Sequence, residues 1–134
     1  MSEMLTRVER WDARLKAIFD RIDEELEASE EWCAPVARHP ARPPRAATAN
    51  PEDDGLFDLG ASFTAGFGSK YGPGYVITAR YVTLDALPDR WRQALEDHVA
   101  ERVGELLHEA FPGKDLRVDR DDTGYKIHGD LSLD

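Results

Sequence analysis

A glycine-rich segment with a lysine at its centre is the first feature of this sequence that could bind a ligand. Gly68, Gly72 and Gly74 surround Lys70, and backbone N–H groups in such segments can approach a phosphate closely. The spacing departs from known phosphate-binding patterns, because Tyr71 stands where a kinase-type loop needs its third glycine, and GxxxxGK[ST] is absent. Composition favours a structural or flexible turn. A partner-contacting loop with exposed Lys70 and Tyr71, or an anion site, remains open as an alternative.

A second group of residues has spacing that could hold a metal ion. His98, Glu101, Glu105 and His108 project from one helical face within an arc of about 80°. Imidazole and carboxylate groups at these spacings can bind zinc or iron, as in di-iron bundles. Such bundles need a second helix of this kind, and this stripe lies almost opposite the apolar one. We therefore expect a solvated face and predict no metal or other cofactor; a metal site that bridges two copies is the alternative.

The sequence contains no recognisable catalytic nucleophile. His128 stands on a predicted strand beside Lys126 and Asp130, and a His–Asp pair could serve acid–base catalysis. No activated nucleophile is recognisable beside it. Cys33 lies near a predicted helix end, just before prolines, where no positive helix terminus lowers its pKa. The sequence therefore predicts no catalytic residues and favours a protein that is not an enzyme.

Composition narrows the function classes further. The chain has 134 residues, 41% of them apolar and 33% charged, with a net charge of −10. An acidic surface repels nucleic acids and anionic membranes, and no apolar stretch is long enough for a membrane span. The mixed charges of the first residues are unlike a signal peptide, and the single cysteine excludes internal disulfides. We expect a cytoplasmic protein that binds neither nucleic acid nor membrane.

Residues 1–32 are predicted to form one long amphipathic helix. A helix of about 28 residues would be roughly 42 Å long, longer than one side of so small a domain. We therefore expect part of its apolar stripe to meet a second copy or another protein, although folding back onto its own sheet is the alternative. The predicted interface residues recur at spacings of four and three. They are Val8, Trp11, Leu15, Ile18 and Ile22.

The rest of the chain divides into a linker and a domain. Residues 33–55 contain five of the eight prolines and are predicted to form a linker, although the segment 40–45 also matches the PxxPxR pattern of SH3 ligands. Residues 56–134 show two alternating segments, a helical segment from Pro88 to about Phe111, and two further alternating segments. This order predicts an α+β fold: a two-layer sandwich of a ββαββ sheet with one packed helix, plus the long N-terminal helix.

These observations lead to two functional hypotheses. The first is a non-catalytic module that self-associates or binds a protein partner through the N-terminal helix, as a homo-oligomer or a complex. The second is a small-molecule or anion binder, or an enzyme, that uses the glycine-rich loop and the open face of the sheet. Its candidate residues are Lys70, Tyr71, Tyr75, Arg80 and His128.

Overall fold

The computed structural model describes residues 7–36, 56–66, 70–82, 87–121 and 124–131. The described elements comprise three α-helices, one 3₁₀ turn and four strands. In chain order they are α1 (Arg7–Glu27), α2 (Glu30–Cys33), a 3₁₀ turn (Ala34–Val36), β1 (Phe57–Thr64), β2 (Gly74–Tyr81), α3 (Asp89–Ala110), β3 (Leu116–Asp121) and β4 (Gly124–Gly129).

The four strands form one antiparallel sheet in the order β1-β2-β4-β3. β1 and β2 pair along their whole length, from Phe57 opposite Tyr81 to Thr64 opposite Gly74. β4 pairs with β2 on one side and with β3 on the other. The prediction of an α+β protein is confirmed. In the part of the chain that the structure describes, no helix has the length and apolar character needed to cross a membrane.

Both long helices pack on the same face of the sheet. α3 lies against β2 and β3, while α1 lies against β1 and α3. The strand register explains this, because the buried apolar side chains of the four strands share one face and alternate with polar residues on the other. Those buried residues are Phe57, Tyr75, Ala79, Tyr81, Leu116 and Ile127.

The N-terminal helix ends earlier than predicted, and the expectation that part of its apolar stripe stays uncovered is wrong for the described side chains. α1 ends at Glu27, and Ser29 then caps α2 by accepting a hydrogen bond from the Trp32 N–H. The 21 described residues of α1 span about 32 Å, which the sheet and α3 can cover. The side chain of Val8 lies outside the described part. The other four predicted interface residues are 0 to 8% exposed: Trp11, Leu15, Ile18 and Ile22.

Trp11 shows how completely α1 belongs to the core. Its ring is 5.0 Å from that of Phe111, at the end of α3, and 6.3 Å from that of Tyr75 in β2. Its indole N–H donates to the carbonyl of Leu131 over 2.5 Å, which satisfies the polar end of the buried ring. α1 therefore ties the sheet, α3 and the end of β4 into one hydrophobic core.

Candidate functional site

The first candidate site lies on the face of the sheet opposite the helices. Lys126 of β4 points to this face, yet its side chain is only 1% exposed. Its ammonium donates to the Gly72 carbonyl over 3.0 Å and lies 3.2 Å from the Asp121 carboxylate, which is also buried. A buried charge is tolerated only with such a partner and further hydrogen bonds. Lys126 therefore fastens the loop between β1 and β2 onto the sheet.

Glycines allow that loop to lie so close to the sheet. Gly66 has a φ of +78°, and a Cβ there would overlap the backbone of Gly72. A Cβ at Gly74 would overlap the carbonyl oxygen of Ile127. The Gly72 carbonyl, rather than an N–H, is turned toward Lys126. These contacts support the structural-turn interpretation of the predicted ligand loop, of which Gly68 lies outside the described residues.

Beside this ion pair, the structure brings three of the predicted ligand-binding residues together. His128 Nε2 lies 2.7 Å from Asp119 Oδ2, and its ring stacks on that of Tyr71 at 4.4 Å between centroids. The Lys70 ammonium lies 5.0 Å from the Tyr71 ring centre, a cation–π distance. A carboxylate in this position can orient an imidazole. Here, however, Tyr71 covers the imidazole ring, so the cluster also helps to hold the loop.

Two of the other candidates for ligand binding lie elsewhere. Tyr75 points into the core toward Trp11, so its predicted place on the open face is wrong. Arg80 does lie on the open face, but near the far end of β2, where it forms an ion pair with Asp58. The histidine on β4 is paired with Asp119 of β3 and not with its sequence neighbour Asp130.

Three residues that organise this face were not singled out from the sequence. Asp119 and Asp121 were given no role there, and Lys126 was named only as a neighbour of His128. A signal was nevertheless present, since pairing of β3 with β4 as a hairpin places Asp119 opposite Lys126, with all three side chains on one face. The opposite charges of cross-strand neighbours could have indicated the cluster.

The four residues considered as metal ligands do not come together. His98 stacks on the Trp32 ring at 4.7 Å, whereas Glu105 pairs with Arg102, and His108 Nε2 lies 3.3 Å from the Leu116 carbonyl. Across the described ranges, no group of three or more histidine, cysteine or acidic side chains is placed to hold a metal ion. His98, Glu101, Glu105 and His108 therefore do not form a metal site within one chain.

Cys33 has the environment of a structural thiol. Its sulfur lies 3.4 Å from the carbonyl oxygen of Leu26, and the residue packs against the core. Burial, and to a lesser extent the negative charge of Glu27, raises the pKa of the Cys33 thiol. A raised pKa keeps the sulfur protonated and weakens it as a nucleophile.

A second candidate site is the groove between α3 and β3, with a volume of about 490 Å³. Small and apolar residues from both elements form its base, including Ala100 and Gly104 of the helix and Val118 of the strand. Gly104 faces the strand, because a Cβ there would lie 4.0 Å from the Val118 side chain. Charged residues surround this base: Glu101, Glu105 and His108 on one side, and Lys114, Asp115 and Arg117 on the other.

β3 forms one edge of the sheet, with β4 on one side and, within the described ranges, no strand on the other. One bond shows which residues of β3 form hydrogen bonds with β4: the Asp130 N–H donates to the Asp115 carbonyl over 2.9 Å. Hydrogen-bonded pairs recur at every second residue of an antiparallel ladder. The odd-numbered residues of β3 therefore bond to β4, and the even-numbered residues direct their N–H and C=O groups outward.

Those three outward positions are not equivalent. The Leu116 N–H donates to Lys114, and the Leu116 carbonyl lies within reach of His108. Val118 and Arg120 are left as the positions where a further strand could form backbone hydrogen bonds. Val118 lines the groove and Arg120 follows it along the same edge, so the edge and the groove form one continuous surface. We call this surface the β3 edge groove.

Fold and sites together define an α+β protein with two helices on one face of a four-stranded antiparallel sheet and a groove beside one edge strand. The chain belongs to a family of uncharacterised proteins, which matches residues 6–129. An uncharacterised protein of Borreliella burgdorferi strain B31 is 38% identical over 91 residues, which are 68% of this chain and 71% of that protein. No solved structure matches the chain significantly.

Proposed function

We propose that this protein is a non-catalytic protein-binding module that accepts an extended polypeptide strand at the β3 edge groove. The observation that carries the proposal is the pair of outward backbone positions at Val118 and Arg120, next to a groove with a base of small residues. An added strand gains affinity from main-chain hydrogen bonds and specificity from the side chains that enter adjacent pockets.

The composition of the groove suits such a ligand. Ala100 and Gly104 leave room above Val118 for alternate side chains of an added strand, which all point to the same face. Acidic side chains on the helix and basic ones at the start of β3 could contact residues of either charge at the rim. The binding surface is thus distinct from the apolar side of α1, which we call the α1 stripe. Its described side chains, Trp11, Leu15, Ile18 and Ile22, lie in the core.

The alternative function, a small-molecule or anion site at the glycine-rich loop, has less support. The Gly72 carbonyl and the Lys126 ammonium are already bonded to each other. Tyr71 stacks on His128, the side chain best suited to acid–base chemistry. A ligand would have to displace these contacts before it could reach either group.

A single-residue comparison at the centre of β3 tests the proposal. Random linear peptides displayed on phage would be selected on the full chain, and the enriched peptides synthesised. We expect these peptides to slow amide exchange at Val118 and Arg120. Val118→Pro removes one outward N–H while sparing the bonds to β4, so it should abolish binding, whereas Val118→Thr, which keeps the N–H, should not.

The folded state of both variants is checked by circular dichroism. Enriched peptides that protect other amides, or that bind Val118→Pro as well as the wild type, would show that the proposal is wrong. Failure to enrich any peptide would count against it as well.

A further inference from the structure

Resting on the proposed function, we infer that the strand accepted at the β3 edge groove is β3 of a second copy of this chain. The two strands pair antiparallel about a two-fold axis at Val118, so that two four-stranded sheets become one continuous sheet. Such an interface is isologous, because the same surface is used by both copies. It replaces the α1 stripe as the contact between copies.

Backbone geometry restricts the register of this pairing. Outward hydrogen-bonding groups occur at the even-numbered residues of β3, so an even-numbered residue must face an even-numbered residue. Only two-fold axes that pass through a residue meet this condition. An axis at Val118 places Val118 opposite its own copy and Leu116 opposite Arg120. Because the outward groups of Leu116 are engaged within their own chain, the main backbone contact between copies is the pair at Val118. The reciprocal hydrogen bonds at Val118 then lie at the centre of the interface.

Charge and backbone hydrogen bonding together select Val118 among these axes. With the axis there, Arg117 of each copy faces Asp119 of the other, which gives two pairs of opposite charge. An axis at residue 117 places Arg117 opposite itself, and an axis at residue 119 does the same for Asp119. An axis at residue 120 places Asp119 opposite Asp121. Like charges directly opposite each other are destabilising, so the registers with an axis at residue 117, 119 or 120 are disfavoured. An axis at Leu116 would place Arg117 opposite Asp115, but it is excluded because the Leu116 N–H already donates to the Lys114 carbonyl.

The contacts on the helix side of the sheet are also compatible with a two-fold axis at Val118. Val118 is half-buried and lies next to Gly104, which has no side chain to occupy the space between the helix and the strand. The second copy would bring its own Val118 to this place, beside the first. The apolar contact therefore lies at the centre of the interface, and the charged pairs lie on the opposite face.

Charge reversal with rescue tests the inference on the full chain. At about 0.1 mM protein, where a micromolar dimer is fully formed, sedimentation velocity should show a dimer. Arg117→Glu and Asp119→Arg should each raise the dissociation constant at least roughly tenfold, because two attractive pairs become repulsive. The double variant R117E/D119R restores opposite charges and should restore the dimer. Arg80→Glu, which reverses an ion-paired arginine on β2, is the matched control and should leave it intact.

Each outcome decides the inference. A dimer that tolerates both single reversals, or a double variant that remains monomeric, overturns the Val118 register. A monomeric wild type overturns self-association at this edge; if selected peptides still protect Val118 and Arg120 from exchange, the strand-binding function stands. If neither a second copy nor a selected peptide protects these amides, both proposals fail.

Discussion

The Lys126 ammonium and the Asp121 carboxylate lie 3.2 Å apart on the face of the sheet that the helices do not cover, and their side chains are only 1% and 6% exposed. Ion pairs on an open sheet face are normally solvated. This one is buried because the loop that precedes β2 crosses it and contributes the Gly72 carbonyl as a further partner. The sheet face that was predicted to bind a ligand is therefore covered at one end by the residues that precede β2.

Removing the ammonium should destabilise the protein strongly. Lys126→Met keeps the length of the side chain but leaves Asp121 charged and without its lysine, and we expect a loss of about 3–5 kcal/mol in the free energy of unfolding. Urea unfolding followed by circular dichroism measures it. Arg80→Met breaks the exposed pair with Asp58 and should cost about 1 kcal/mol or less. Equal losses of stability in the two variants would mean that Lys126 does not hold the loop on the sheet.

Glycine-to-alanine substitutions can show whether a glycine is needed because the backbone packs closely or only because its φ is positive. Gly66→Ala places a methyl group against the Gly72 backbone at a φ of +78°, so it should cost several times as much as Gly72→Ala, where the added methyl meets open space. Gly72 also has a positive φ, and we expect about 1 kcal/mol for that substitution. Gly60→Ala, at a strand position with open space, should be neutral or slightly stabilising.

The measurement is again the free energy of unfolding in urea. A Gly66→Ala variant as stable as Gly72→Ala would mean that the loop does not pack as described. Such a result would also reopen the ligand-loop interpretation, since a mobile loop could free Lys70 and Tyr71.

Elements with local signals were predictable from the sequence. α3 was expected between Pro88 and about Phe111 and spans Asp89–Ala110, because proline fixes its start and Pro112-Gly113 its end. The first two strands form where their alternation indicated, and they pair with each other. In each case the deciding residues lie within the element or next to it.

Features that depend on distant partners were not predictable in the same way. The end of α1 depends on Ser29, whose capping bond interrupts an apolar periodicity that continues across it. The burial of the Lys126–Asp121 pair depends on Gly72, which lies 54 residues before Lys126 in the sequence. In the sequence alone, the two charges therefore look like those of a solvated strand. The edge position of β3 follows only from the order of the strands in the sheet.

Substitutions in α1 should now affect folding rather than association. Leu15→Asp buries a carboxylate at a position that is 2% exposed, so we expect the full chain to lose cooperative unfolding. Ala17→Asp introduces the same residue two positions later, on the exposed side of the helix, and should cost less than about 1 kcal/mol. Circular dichroism and thermal unfolding compare the two. A folded, monomeric Leu15→Asp protein would instead restore the α1 stripe as an interface.

Tyr81 should make the stability depend on alkaline pH. Its hydroxyl donates to the Trp32 carbonyl over 2.8 Å, and burial, with a smaller contribution from the charges of Cys33 and Glu31, raises the pKa of Tyr81 to about 12. The ordinary tyrosine pKa is 10, so the unfolded chain loses its proton first as the pH rises. The stabilisation from Tyr81 is therefore complete below pH 10 and lost between about pH 10 and pH 12. The two pKa units correspond to roughly 2–3 kcal/mol.

Tyr81→Phe isolates this contribution, because every other group titrates in both proteins. Below pH 10 the variant should be less stable by about 1 kcal/mol, the usual net value of a lost hydrogen bond. As the pH rises toward 12, the wild type alone loses the Tyr81 contribution, so the difference should vanish and then change sign. Urea unfolding at a series of pH values measures this difference. A difference that stays constant up to pH 12 would mean that the hydroxyl is solvated and does not bind the Trp32 carbonyl.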